Sequence, residues 1–333
     1  VRESLKCAVQ EDSGVGEARR ASVTLARILG MTEVRQGEVA IIVTELASNL
    51  VKHARGGELL VQPFELEGVT GLDVLALDRG PGVARPAEVL RDGYSTAGTP
   101  GTGLGAVRRL ASVFDFHSVP DLGTAVLARM YTTPPQASSA FDFGVLLVAH
   151  PRERVCGDGV AISVRGGHLG ALLVDGLGHG VGAHEAARAA LDAFHAHAAA
   201  APYDVLAAVH HGLRGTRGGV AGVARVQPSD GVVTFSGMGN VSATIVTAEG
   251  RRGLVSQNGT LGLTTPRVHE DTRPWTRDST LVMHSDGLTS TWSLERYPGL
   301  LMKPATLIAG VLYRDFSRDR DDAGVLVVKE ARA

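Results

Sequence analysis

Two sets of residues in this sequence have the types and spacing to handle phosphate. In the first, Glu45 and Asn49 stand four positions apart, which at 3.6 residues per turn puts both on one face of a helix. A carboxylate so placed can take a proton from an attacking hydroxyl, and an amide oxygen is a hard ligand for Mg²⁺ beside phosphate oxygens. Further on, Asp78 opens the run Asp78-Arg79-Gly80-Pro81-Gly82. There a carboxylate at a strand end can accept from a base amino group, and the glycines allow close approach of a ligand to backbone. Gly98-Thr99-Pro100-Gly101-Thr102-Gly103-Leu104-Gly105 then leads into Ala106-Val107-Arg108-Arg109. Glycine-rich backbone entering a helix N-terminus offers N–H groups and a favourable dipole to phosphate.

The second set is four acidic positions at strand ends: Asp158 in CGDGVAI, Asp175 in LLVDGLGHG, Asp286 in VMHSDGL, and Asp321-Asp322 before AGVLVV. Apolar strands that deliver carboxylates to one sheet edge concentrate negative charge, an arrangement stable mainly when cations neutralise it. Two such ions can share a water, acidify it to hydroxide and stabilise both oxygens of a displacement at phosphorus. His195 with His197, and His210 with His211, lack the i, i+4 zinc spacing and read as surface positions on Ala-rich helices.

These residues need particular elements beneath them. Val39, Ile42, Val43, Leu46 and Leu50 follow helical spacing, predicting a helix from about Gly37 to the Gly56-Gly57 pair that carries Glu45 and Asn49. LLVQPFEL and GLDVLALD read as strands, followed by a helix near 106–112 and a strand near 124–131, an α+β pattern. Thr132 to Ala140, TTPPQASSA, interrupts the patterning and marks a boundary. It divides a domain at 1–132 from one at 141–333, with 133–140 as linker. Beyond it FGVLLVAH, GVAISV, ALLVDG, VVTFSG, SATIVTA, STLVMHSDG and GVLVVKE read as strands, with helices near 184–200 and 203–213, which predicts a sheet sandwich covered by helices.

Composition bounds the rest. The 333 residues suit about two domains, and the hydrophobic fraction of 44% suffices for two cores. Lys and Arg (33) nearly match Asp and Glu (35), so charge points to no nucleic acid. Cys7 and Cys156 form no CxxC pair, which argues against a disulfide framework or thiolate zinc site. No stretch reaches the ~18 apolar residues of a membrane span, and no leader pattern opens the chain, so a cytoplasmic location without membrane association is expected.

In order, the Glu/Asn helix, the DxGxG strand end and the GxGLG helix start resemble the GHKL ATPase family. Within it they are most similar to the small anti-sigma and stress-switch serine kinases of the RsbW and RsbT type. The resemblance rests on TELASNLVKHARGG, LDRGPGV, DGYSTAGTPGTGLGAVRRL and SVPDLGTAV. It implies a Bergerat-type α/β sandwich binding ATP and Mg²⁺ under a lid around 84–100. Glu45 would be the general base, Asn49 the Mg²⁺ ligand and Asp78 the adenine reader. Gly80, Gly82, Gly101, Thr102, Gly103, Leu104 and Gly105 would form the nucleotide loops. Phosphoryl transfer to a protein hydroxyl is the expected reaction.

CGDG, VDGLGHG, GMGNVSATI, HSDGL and DDAGVLVV resemble the SpoIIE family of metal-dependent phosphatases, in particular its compact RsbX-like members. That resemblance implies a PPM-type αββα sandwich with two Mn²⁺ or Mg²⁺. Asp175 would bridge the ions, the Gly176 carbonyl would coordinate one, and Asp158, Asp286 and Asp321 would complete the cluster, with Asp322 as the alternative to Asp321. The family usually has Thr or Ser where this chain has Gly324. His179 is a candidate contact to substrate phosphate.

Together the resemblances imply a partner-switching, stressosome-type enzyme that phosphorylates and dephosphorylates Ser or Thr of a STAS-domain protein. Both forms of that protein would be partners, and a downstream phosphatase or sigma regulator is a further partner such a module admits. The alternative expectation is a nucleotide-gated partner-binding module fused to an active phosphatase; a further alternative, motivated by Gly324, is an inert phosphatase half serving as scaffold.

Overall fold

The computed structural model describes residues 3–83, 103–135, 139–263, 269–318 and 320–332. The chain forms two compact units, Arg2–Ala137 with Ser293–Arg314, and Ser138–Trp292 with Asp315–Ala333.

The first unit opens with β1 (Leu5–Val9), α1 (Asp12–Ile28) and α2 (Glu33–Ala54), then β2 (Gly57–Leu66), β3 (Val69–Leu77), α3 (Gly103–Leu110), β4 (Val113–Val119) and β5 (Gly123–Tyr131). The strands pair antiparallel in the order β1-β2-β3-β5-β4. Helix α2 begins four residues before the Gly37 start read from the sequence, because Thr32 caps it by accepting from the Arg35 N–H at 3.3 Å. It ends where Arg55 turns left-handed at φ 60°. Its buried stripe of Val39, Ile42, Val43, Leu46, Ala47 and Leu50 faces one side of the sheet. Helix α1 fully buries Ala18, Ser22 and Ala26, small residues that let it lie close to α2, with Val15, Leu25 and Leu29 partly buried against the same core.

The second unit holds two sheets. One contains β7 (Asp158–Arg165), β8 (His168–Gly176), β9 (Gly219–Gln227), β10 (Val232–Met238), β13 (Ser256–Gln257) and β14 (Asp271–Pro274). The other is built from β6 (Phe141–Val148), β11 (Ser242–Thr247), β12 (Gly250–Leu254), β15 (Thr280–His284) and β16 (Ala323–Glu330). Helices α4 (Val181–His197) and α5 (Pro202–Gly212) pack on the first of these. Helix α4 does so through Ala183, Ala186, Ala187 and Ala190, small side chains that bring helix and sheet close together, and through the large buried Phe194.

One element departs from the linear division. Helix α6 (Ala305–Phe316), within the stretch the sequence assigns to the second domain, lies mostly in Ser293–Arg314 and so belongs to the first unit. The reason is the sheet's period of two. Val74, Ala76, Val126 and Ala128 serve the α1/α2 core, while Asp73, Leu75, Leu77 and Arg129 are buried on the opposite face. Thr306 Oγ1 donates to Asp73 Oδ2 at 2.9 Å and accepts from Arg129 Nη2 at 2.9 Å. Lys303 pairs with Asp115 at 2.7 Å, and an added Cβ at Gly310 would stand 3.2 Å from Leu77 Cδ2.

Candidate functional site

In the first unit Glu45 and Asn49 are half-buried on one face of α2, and both point at the start of α3. A Cβ built on Gly103 would lie 3.1 Å from Glu45 Oε2 and 3.9 Å from Asn49 Oδ1. The structure therefore brings together three of the sequence-predicted positions. Any side chain at Gly103 would press on the carboxylate. Leu104 and Gly105 continue in α3. Gly101, Thr102 and the lid assigned to 84–100 lie outside the described residues.

Asp78 directly follows β3. Its Oδ1 accepts from the Gly80 N–H at 2.8 Å and the Thr124 N–H at 3.2 Å, and no described residue donates to Oδ2. Burial raises its pKa above the usual carboxylate range, opposed by those two amides and by the Arg314 guanidinium. Gly80 is required by contact, since its Cβ would sit 2.9 Å from Ala54 Cα. Gly82 has φ +70° and lies against the Val119 carbonyl. Lys52 and His53 are exposed.

In the second unit the acids sit at the ends of adjoining strands. Asp158 and Asp175 face each other across the β7–β8 pair. Asp286 follows β15, and Asp321 and Asp322 precede β16. Glycines make this approach possible: an added Cβ at Gly176 would stand 2.2 Å from Ala183 O, one at Gly287 2.0 Å from Asp322 O. Gly287→Ala is accordingly expected to destabilise the fold by more than about 3 kcal/mol, measurable by denaturant unfolding.

The electrostatics are those of crowded like charges. Asp158 is buried; its Oδ2 accepts from Ser285 Oγ at 2.6 Å, while Oδ1 is buried with no partner. Its pKa is raised, first by burial and then by Asp175. Asp175 is pushed up to about 8 by burial and by Asp286, Asp321 and Asp322. Asp286 is raised by burial and by Asp321, with Asn240 Nδ2 donating to it at 2.7 Å. Among the described residues, no three His, Cys, Asp or Glu side chains converge on a point where one ion would bind them all. The carboxylates share a field without a preformed cage. Hard oxygen donors, an orphaned buried oxygen and raised pKa values fit a divalent cation of the Mg²⁺ or Mn²⁺ kind.

The Asp321/Asp322 pair separates by environment. Asp322 is buried, and its two oxygens accept from the His150 and Gly157 N–H groups at 2.7 and 2.9 Å. Asp321 is exposed, with Oδ1 accepting from the Asp322 N–H at 2.9 Å. Asp322→Ala is therefore expected to cost about 3 kcal/mol in chemical denaturation, since the buried Gly157 N–H and the part-buried His150 N–H lose their acceptor. Asp321→Ala should leave stability within about 0.5 kcal/mol.

At Gly324, where the resemblance leads one to expect Thr or Ser, the N–H donates to Ser285 Oγ at 3.0 Å. A Cβ there would stand 3.0 Å from Asp158 Oδ2. Ser285 thus links β16 to Asp158, a contact that sequence spacing did not reveal.

His179 Nδ1 lies 2.6 Å from Glu153 Oε1, and its ring stacks on His150 at 4.9 Å. Neither Glu153 nor His150 carries a signal in the sequence. His195, His197 and His211 are exposed, whereas His210 is buried and accepts from the Gly262 N–H at 3.1 Å.

The two units define an ATPase domain of the GHKL type joined to a phosphatase domain of the PPM/SpoIIE type. Residues 9–130 match the histidine kinase-like ATPase domain and residues 165–328 match the Stage II sporulation protein E (SpoIIE) family. The serine/threonine-protein kinase RsbT of Bacillus subtilis (strain 168) is 35% identical over 111 residues, covering 33% of this chain and 84% of that protein. Through this part the chain belongs to the RsbT kinase family.

Among solved structures, a chain described as "The bacterial stressosome: a modular system that has been adapted to control secondary messenger signaling" shares 26% identity at a TM-score of 0.54. It is matched over 57% of this chain and all (100%) of its own length. RsbX in complex with magnesium is matched at 18% identity and a TM-score of 0.49, over 59% of this chain and 98% of that one. No helix among the described residues is long and apolar enough to cross a membrane.

Proposed function

We propose that this chain is a bifunctional switch enzyme that both adds phosphate to and removes it from Ser or Thr of a STAS-domain regulator, in a stressosome-type module. The carrying observation is that one chain holds both constellations: Glu45, Asn49 and Gly103 meeting in one unit, and Asp158, Asp175, Asp286 and Asp321 grouped in the other. The RsbT relationship and the SpoIIE match support a kinase and a phosphatase in that order along the chain.

In the kinase unit Asp78 Oδ2 would accept from the adenine amino group, since Oδ1 is committed to backbone. Asn49 would hold Mg²⁺ beside the phosphates. Glu45 would take the proton of the acceptor hydroxyl as it attacks the γ-phosphorus and ADP leaves. In the phosphatase unit Asp158, Asp175, the Gly176 carbonyl, Asp286 and Asp321 would hold two Mn²⁺ or Mg²⁺. Bound there, such ions supply an acidified water and neutralise charge on the phosphoryl group. Asp322 is occupied by two amides and serves to hold β16 against the His150 and Gly157 loops.

The test is transfer of labelled γ-phosphate from Mg-ATP to STAS-domain proteins of the same genome, followed by a Mn²⁺ chase. Label that appears on one of them and is then removed supports both activities. ATP binding without transfer to any such protein would leave a nucleotide-gated binding module attached to a phosphatase.

A further inference from the structure

The strand end that carries Asp78 is gripped by a side chain from far along the sequence. Arg314, near the end of α6 and only 5% exposed, donates from Nη1 to the Asp78 backbone oxygen at 2.9 Å. In return the Arg79 side chain donates to the Arg314 backbone oxygen. On its other side the Asp78 carbonyl lies against Gly123, where no Cβ would fit. Asp78 N donates to Thr124 O at 2.9 Å. The residue is thus fixed on three sides: by β5, by its own Asx contact to Gly80 and by Arg314.

Position matters here because a hydrogen bond weakens steeply once distance and angle leave a narrow range. Asp78 lies just past the last residue of β3, ahead of the Gly80-Pro81-Gly82 turn, with its N–H and Oδ1 tied to Thr124 of β5. The sheet leaves its carbonyl to be held by Arg314. The α6 segment is anchored redundantly elsewhere, by Thr306 on the buried Asp73–Arg129 pair, by the Lys303–Asp115 ion pair at 2.7 Å and by close packing of Gly310 on Leu75 and Leu77, so that loss of the Thr306 contacts alone leaves Arg314 in place. The helix is therefore a firm base from which Arg314 reaches the strand end.

We propose that Arg314 is a positioning residue for Asp78, so that discrimination in favour of adenine is set by a helix encoded between Asp286 and Asp321. This rests on the reading of Asp78 as the adenine contact. The Arg314 guanidinium also opposes the burial that raises the Asp78 pKa.

The experiment measures dissociation constants of the full chain for ATP and for inosine triphosphate, which carries a carbonyl where adenine carries an amino group. Wild type should prefer ATP. Arg314→Ala should reduce the preference for ATP, the ratio of the ITP to the ATP dissociation constant, by about tenfold, equivalent to about 1.4 kcal/mol. Arg314→Lys, which keeps the charge but not the planar fork, should fall between and stands in if the alanine variant does not fold. Thr306→Val separates packing from positioning: it removes two hydrogen bonds at the other end of the helix and should lower thermal stability while leaving the ratio unchanged.

An unchanged ratio in a folded Arg314 variant, or an equal loss of ratio in Thr306→Val, overturns the inference. Wild type that binds ATP and ITP alike overturns the reading of Asp78 itself.

Discussion

Asp175→Ala is expected to reduce Mn²⁺-dependent hydrolysis of a generic phosphoester by on the order of 10³-fold or more, because cation stabilisation at phosphorus is worth several kcal/mol and each 1.36 kcal/mol is tenfold. The same residue should control stability without metal. Its folded pKa is about 8 against an ordinary 3.8, through burial and then Asp286, Asp321 and Asp322. Between those values the unfolded chain has lost a proton that the folded chain retains. Stability therefore falls as pH rises across that window and levels above it.

Asp158, Asp286 and Asp322 are shifted in the same direction and add to the slope. Thermal melts of the metal-free protein should show Tm declining from about pH 5 to about pH 8. Asp175→Asn should flatten the decline, and saturating Mn²⁺ should raise Tm at the alkaline end, since binding to the folded state alone stabilises it. A metal-free Tm that rises over this interval would contradict the crowding of acids around Asp175.

Glu45→Ala carries the other large effect. Removing a positioned general base typically lowers rate by about 10² to 10⁴, so phosphoryl transfer to the protein acceptor should drop by that factor. The dissociation constant for ATP should change little, because base contact is assigned to Asp78. Transfer assays and equilibrium nucleotide binding on one preparation separate the two quantities. If transfer persists at wild-type rate, Glu45 is not the base, even though its carboxylate abuts Gly103.

Much of both sites was legible in the sequence because the chemistry sits where local rules are strong. The i, i+4 offset put Glu45 and Asn49 on one helix face, and the strand endings put Asp158, Asp175 and Asp286 beside glycines, of which Gly176 lets α4 approach and Gly287 lets the segment at Asp322 approach. Three features were not legible, each for a different reason. Helix α1 fully buries only the small residues Ala18, Ser22 and Ala26, with Val15 and Leu25 half-buried beside them, a weaker apolar stripe than that of α2. The roles of Asp321 and Asp322 depend on which one meets the His150 and Gly157 amides, a tertiary fact absent from two adjacent identical letters. Strand β3 read as a strand, but burial of both its faces implies a covering layer that local sequence does not specify. That layer is α6, which lies more than two hundred positions away.

The path of the backbone has a consequence for heredity. It passes from one unit to the other after residue 137, returns after Trp292 and leaves again after Arg314. A gene truncated at the Pro134-Pro135 junction would encode a sheet stripped of Thr306 from its buried Asp73–Arg129 pair and of Gly310 from Leu75 and Leu77. Shuffling at the linker that sequence composition suggests would thus damage the N-terminal partner each time. The two units are interleaved in the coding sequence and are expected to be inherited as one piece.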